Sequence, residues 1–322
     1  MSYPFVSMKH HGHRSNKCSK KKQESEEMKI ILEHNDIYLP GQYIRGAIVF
    51  NSVGEIPINE CSVNLVCMAE VGWTDNPGIK DEGRSFHIKH KLMDVPFELS
   101  GNNGAESYYQ LGHHEIPFEF YLPDNMNLPS SYQSRFGSIV YYIDVKMGEK
   151  IKRRDILVEI PIQKNLWLSV GGTSEKDFGV LSFASGRITM QATLRKKGYF
   201  RGEDLIVDYV IDNCSTATVK PRVTLFQTQI YMTGERHKTV ESSLTEAVEG
   251  DEIGAHTLVD DGNLTVAIPV DIPLSIKSEY ITLKYFLHLT LDIPLAIDIH
   301  INLPLTITTR AAMENTFDDR RH

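Results

Sequence analysis

From Gly112 to Met147 the chain alternates between apolar and polar positions. Ile116, Phe118, Phe120 and Leu122 are interleaved with Pro117, Glu119 and Tyr121, and Ile139, Tyr141, Ile143, Val145 and Met147 occupy every other position. Side chains two apart on a strand share a face, so each run predicts a strand with one buried and one wetted side. Pro117 and Pro123 have no N–H to give to a ladder, which confines them to strand ends or an edge. Leu128-Pro129-Ser130-Ser131 reads as the loop between the two strands.

The same period recurs along the chain. Met28 to Leu32 begins a first strand, and Ile44, Ile48 and Phe50 share a face of the next. Cys61, Val63, Leu65, Cys67, Ala69, Val71 and Trp73 make an alternating run long enough to cross a whole sandwich. A strand is expected around Phe86 to Phe97, between loops at Thr74 to Gly83 and Ser100 to Glu106. Gly148-Glu149-Lys150 predicts a hairpin, with a return strand carrying Ile156, Val158, Ile160 and Ile162.

The second half echoes the first. Tyr199-Phe200-Arg201-Gly202-Glu203 repeats Tyr38-Leu39-Pro40-Gly41-Gln42, and Leu283, Tyr285, Leu287 and Leu289 mirror Ile139, Tyr141, Ile143 and Val145. Pro304 after Leu303 is read as the mirror of Pro161 after Ile160. Val240, Leu244 and Val248 recur at helical spacing between Thr239 and Gly254, but the repeat argues for strands and an acidic loop there. The expected organisation is all-β: a basic tail over 1–27, a sandwich over 28–164, a linker over 165–180, a second sandwich over 181–309 and a short tail over 310–322. Gly171-Gly172-Thr173-Ser174 marks the linker, and Trp167 is its expected docking residue.

Three ordered blocks within about 30 residues carry a family resemblance. Gly112, His114, Pro117, Phe118, Phe120, Leu122 and Pro123 form the first, Leu128 to Tyr132 the second, and Gly137, Ile139 and Tyr141 the third. Together they resemble the arrestin family, in its arrestin-domain-containing (α-arrestin) branch, over roughly Met28 to Thr309. The resemblance implies two tandem arrestin-like, immunoglobulin-like antiparallel β-sandwiches. It also implies a non-enzymatic adaptor that binds cytoplasmic regions of membrane receptors or transporters and promotes their endocytosis or trafficking. An arrestin-like retromer sorting subunit and a secreted tandem sandwich are the alternatives.

Composition narrows these readings. The 322 residues suffice for two domains, and 41% hydrophobic with 24% charged residues suits a globular chain. A net charge of −8 argues against nucleic acid as the main partner. No apolar run has signal-peptide or membrane-span length, so a cytoplasmic protein is expected, peripheral at the plasma membrane or endosomes. Cys61 and Cys67 on one strand stand about 20 Å apart, beyond disulfide reach. With Cys18 and Cys214 they read as free thiols. The sequons at Asn213 and Asn263 read as chance matches.

No phosphate-cradling glycine loop, GxSxG elbow, HExxH or paired CxxC is present, so no catalytic, cofactor or metal site is expected. His113-His114-Glu115 is read as a strand lead-in, and His10, His11, His13 and Cys18 as tail residues. Basic clusters remain: Lys20 to Lys22 with Lys29, then Lys150, Lys152, Arg153 and Arg154, then Arg195, Lys196, Lys197 and Arg201. Lysines guard strand edges, and they also capture phosphorylated or acidic segments. Arrestins read phosphorylated tails on the first sandwich, so the resemblance nominates Lys29, Lys150, Lys152, Arg153 and Arg154. Many α-arrestins recruit a ubiquitin ligase through PPxY; this chain has no Pro-Pro, and that route is not expected.

Overall fold

The computed structural model describes residues 28–34, 37–75, 83–99, 108–124, 126–179, 184–234 and 236–318. The tail expected over 1–27, with its histidines, Cys18 and Lys20 to Lys22, lies outside them. So do the loop expected at Ser100 to Glu106 and most of the one at Thr74 to Gly83.

In the first half β1 (Lys29–Leu32), β2 (Tyr43–Ser52), β3 (Ile56–Pro57), β4 (Cys61–Asp75) and β5 (Arg84–Phe97) follow in order. They are followed by β6 (Tyr108–Tyr109), β7 (Gly112–Tyr121), β8 (Tyr132–Gln133), β9 (Gly137–Met147) and β10 (Lys150–Ile156). One sheet is ordered β1-β2-β7 and the other β10-β9-β4-β5, with β8 added on β9 and β3 paired with β6. Ile139, Tyr141, Ile143, Val145 and Met147 are each at most 1% exposed, so the period-two reading of β9 holds. Pro117 sits in β7, an outermost strand, where its missing N–H breaks no ladder.

The second half holds β11 (Val170–Asp177), β12 (Gly186–Leu194), β13 (Gly198–Phe200), β14 (Asp204–Ser215), β15 (Lys220–Thr233) and β16 (Arg236–Ser243). Then come β17 (Val248–Glu249), β18 (Thr257–Ala267), β19 (Ile276–Lys277), β20 (Ile281–Asp292), β21 (Ile299–Thr308) and the helix α1 (Arg310–Asp318). The sheets are β11-β12-β14-β18 and β13-β21-β20-β15-β16, with β17 on β15 and β19 on β20. The Thr239–Gly254 stretch holds the end of β16, the short β17 and loop between and after them, as the repeat predicts.

Equivalent hydrogen bonds identify the repeat. Gly41 and Gly202 take φ of +83° and +79°, a region that favours glycine. The Gly41 N–H donates to Leu122 O (2.8 Å) and the Gly202 N–H to Ile268 O (3.0 Å). Leu39 N donates to Gln42 Oε1 at 2.9 Å, as Phe200 N does to Glu203 Oε2 at 3.1 Å. Tyr141 Oη donates to Pro129 O and Tyr285 Oη to Pro273 O, both at 2.6 Å. Val158 N donates to Ser131 Oγ and Ile307 N to Ser275 Oγ. Val158 therefore corresponds to Ile307, and the expected Pro161–Pro304 match is out of register; Pro304 lies inside β21 opposite Phe286.

Other expectations need correction. The return strand is β10 alone: it ends at Ile156, and beyond it Val158 makes an isolated parallel bridge to Tyr38. Val170–Asp177, expected within the linker, is β11, in register with β12 from Val170↔Leu194 to Asp177↔Arg187. The glycine pair there serves close packing, since a Cβ on Gly172 would lie 2.7 Å from Ile301 Cγ2. Leu166 docks beside Trp167: Leu166 is 2% exposed and its carbonyl accepts the N–H groups of Lys197 and Gly198, while the half-buried Trp167 ring packs against Lys196. The expected C-terminal tail begins as α1, with Ala312 and Met313 buried and Met313 against Gly198. Cys61, Cys67 and Cys214 are free thiols, and burial pushes the Cys67 thiol up to about 12. Asn213 is fully buried, its amide donating to Ala217 O and Gly254 O, so that sequon is closed to modification.

The apolar core of the first sandwich extends into the second, which also has a core of its own. Tyr231, Ile276, Tyr280, Ile281 and Leu283 are buried together with core residues of β2, β4, β7 and β9. Phe136 meets the Tyr231 ring edge-on at 5.7 Å, and His90 stacks on Tyr280 at 5.4 Å. Gly137 makes room for this approach: a Cβ there would lie 2.9 Å from Glu70 O and 3.0 Å from Ile281 Cδ1. A chain of polar groups crosses the seam. Tyr132 Oη lies 3.3 Å from Tyr231 Oη, which donates to Gln229 Oε1 at 2.6 Å. Gln229 Nε2 donates to Gln227 Oε1 and Gln227 Nε2 to Tyr285 Oη. Arg201 Nη2 to Glu159 Oε1 at 2.6 Å and Thr308 Oγ1 to Ile162 O at 2.9 Å add two direct bonds.

The paired tyrosines give a first test. Tyr141→Phe and Tyr285→Phe each strand a proline carbonyl and should each lower stability in urea unfolding by about 1–3 kcal/mol. Tyr141→Phe should cost more, since Pro129 is the more buried acceptor. A neutral result at both positions would contradict their equivalence.

Candidate binding edge of the first sandwich

β10 and β1 are the outermost strands of their sheets, and they lie side by side. Residues directly opposite in an antiparallel pair point to the same side. Lys150, Lys152 and Arg154 stand opposite Met147, Val145 and Ile143, all buried, so these three share the inward-facing side of β10. Lys150 and Lys152 are half-buried and Arg154 is exposed, and long stems of this kind can cover the rim of a core. Lys150 Nζ reaches across to the other sheet and donates to Asn51 O at 3.0 Å. Inward-pointing charges on an outermost strand also discourage edge-to-edge pairing.

Arg153 belongs to the other side. It stands opposite Asp144, its guanidinium lies 3.7 Å from the centre of the Tyr142 ring, and its Nε donates to Asp155 Oδ1 at 2.6 Å. Lys29 is separate again. It is exposed opposite Val49, whereas its neighbour Ile30 is buried opposite Ile48, so Lys29 lies on the outer face of β1-β2-β7. Of the five nominated residues, the structure brings together Lys150, Lys152 and Arg154.

Several cations of this sandwich have carboxylate partners. His87 and Lys89 reach Glu70 at 3.0 and 3.3 Å and hold its carboxyl below the usual range, His87 contributing most. Lys91 does the same for Asp94 at 2.5 Å, and Arg45 pairs with Glu119. In the basic cluster of the second half Arg195, Lys196 and Arg201 each have a carboxylate partner. Arg195 holds Asp208 by two bonds, Arg201 reaches Glu159, and Lys196 pairs with Glu203 beneath the rings of Trp167 and Tyr199.

His113 and His114 serve structure. His113 Nδ1 lies 3.1 Å from Asn51 Oδ1, and His114 stacks on Phe50 while its Nε2 lies 2.7 Å from Gln110 O. Among the described residues no three His, Cys, Asp or Glu side chains converge as a metal site would need, and no helix is long and apolar enough to cross a membrane. Sequence reading missed Arg135 and Lys238, which both lie against the Phe136 ring at 5.3 and 4.8 Å from its centre. No sequence signal joins them, because the fold alone brings β16 to the segment before β9.

Comparison with known proteins follows the same division. The arrestin (or S-antigen) N-terminal domain profile matches residues 28–158, and the C-terminal domain profile matches residues 184–311. Arrestin domain-containing protein 4 of Mus musculus is 25% identical over 296 residues, covering 86% of this chain and 70% of the relative. The Homo sapiens protein of that name is 31% identical over 208 residues, covering 62% of this chain and 49% of the relative. Arrestin domain-containing protein 5 of Bos taurus is 25% identical over 318 residues, covering 89% and 92%.

The guarding role of the rim can be measured. Changing Lys150, Lys152 and Arg154 together to Met keeps the apolar stems and removes the charges. The variant should self-associate in sedimentation velocity at concentrations where the parent protein stays monodisperse. Identical sedimentation of the two would show that these charges do not guard β10.

Proposed function

The chain belongs to the arrestin family, in its arrestin-domain-containing branch, and from that premise we propose that this non-enzymatic adaptor reads cytoplasmic segments of membrane proteins at the β10 rim. The bound segments belong to receptors or transporters, which the adaptor directs into endocytosis or intracellular sorting. It acts in the cytoplasm and is recruited to the plasma membrane or endosomes as a peripheral protein. Endocytic or ubiquitination machinery would then join the complex by a contact other than PPxY.

One observation carries this reading: three cations alternate along one side of an outermost strand. An extended segment beside β10 places its own alternate side chains at a matching spacing. Main-chain bonds to the open edge would supply affinity, and charge-assisted bonds from Lys150, Lys152 and Arg154 would select acidic or phosphorylated residues. Lys29 and Arg153, on other faces, contribute attraction at longer range rather than direct bonds.

Proximity labelling in intact cells tests the proposal. Lys150, Lys152 and Arg154 are changed together to Glu, with Lys284→Glu on β20 as the control. Each charge-assisted bond contributes about 1.5–3 kcal/mol, so the triple variant should lose membrane-protein labelling by ~10-fold or more. Equal recovery of membrane proteins by both variants would exclude this rim as the reading surface.

A further inference from the structure

Where the two sandwiches meet away from the β10 rim, residues 127–130 and 160–164 face 275–277 across a cavity of about 350 Å³. Its floor is apolar, formed by Leu128, Pro129, Ile160, Pro161 and Ile276. Its rim is polar, formed by Asn127, Gln163, Lys164 and Lys277, and no carboxylate lines it. Ser130 Oγ and Ser275 Oγ are committed to the main chain, accepting the N–H groups of Ile160 at 2.8 Å and Ile307 at 2.9 Å. The donors left at the rim are two side-chain amides and two ammonium groups.

The lysines come from different sandwiches. Both are exposed, and neither ammonium group makes an ion pair or hydrogen bond with a described residue. Elsewhere on this surface Lys89, Lys91, Lys196 and Lys220 each have a carboxylate partner. Two like charges flanking an apolar recess without a counter-ion favour an anion between them. A water occupies about 30 Å³ of liquid, so the cavity has room for a small organic molecule rather than a single ion.

We propose that this cavity binds a phosphate monoester with a short apolar stem, its phosphate between Lys164 and Lys277 and its stem on the Leu128–Pro129 floor. Such a ligand touches both sandwiches at once. It lies beside the Thr308–Ile162 bond, so its binding tightens the seam between them. The phosphate has two sources, a soluble ester or a lipid headgroup. The site is separate from the β10 rim, so its failure would leave the adaptor reading untouched.

The test titrates the full chain with phenyl phosphate, following heat of binding and thermal unfolding, with inorganic phosphate as the stemless comparison. Lys164→Gln/Lys277→Gln is compared with the parent protein and with Lys284→Gln, a remote lysine. Phenyl phosphate should bind saturably and raise the melting temperature. The double variant should bind about tenfold or more weakly, and Lys284→Gln should be unchanged. Phosphatidylcholine vesicles with and without phosphatidic acid form the second arm. Capture by phosphatidic acid alone, lost in the double variant, sustains the proposal and assigns the lipid source. Equal binding by parent and double variant, binding in neither arm, or inorganic phosphate matching phenyl phosphate would overturn it. Should the double variant melt early without ligand, the two single variants carry the comparison.

Discussion

The arrangement of this molecule depends on the Tyr231 side chain, which is anchored in the second sandwich and buried against the first. Its ring meets Phe136 and its hydroxyl meets Tyr132 and Ser134, while Ile281 presses on the only kind of residue that fits at position 137, a glycine. Each sandwich has a core of its own, but the first sandwich's core extends across the seam to take in Tyr231, Ile276, Tyr280, Ile281 and Leu283. A file of hydrogen bonds from Tyr132 to Pro273 leaves the buried phenols and amides of the crossing with partners. Unsatisfied buried polar groups are costly, so a complete file favours a single relative placement of the two halves.

That placement governs what each surface can do. It leaves β10 and β1 as neighbouring outermost strands among the described residues, sets Lys196 and Arg201 in part-buried ion pairs, and encloses the cavity between Lys164 and Lys277. The surfaces proposed for partner binding are accordingly edges and rims, in keeping with the non-enzymatic character of arrestin-family adaptors. The partners proposed at those surfaces are recognised by charge and extended backbone, chemistry that an outermost strand supplies directly.

Much of this was legible in the sequence because the constraints are local. Gly41 and Gly202 stand out because each turn needs positive φ, and the tyrosines at 141 and 285 because each follows its proline by the same interval. The alternation in β9 marked its buried side residue by residue. Misreadings came where tertiary packing overrode local signals. Gly171-Gly172 looks like a linker until Ile301 is placed against it, and the terminal helix is held by Leu166 and Gly198, both distant in sequence. For the candidate rim, the parity of Lys150, Lys152 and Arg154 with buried Ile156 was available and separates them from Arg153. The contact of Lys238 with Phe136 and the placing of Lys277 across the cavity from Lys164 were not, because no periodicity spans two domains.

The most direct test of the shared seam is differential scanning calorimetry of the parent protein beside Tyr231→Ala. If that seam holds both sandwiches together, the parent unfolds in a single transition whose calorimetric and van't Hoff enthalpies agree, and the variant separates into two. Two independent transitions in the parent protein, unchanged by the substitution, would contradict the account.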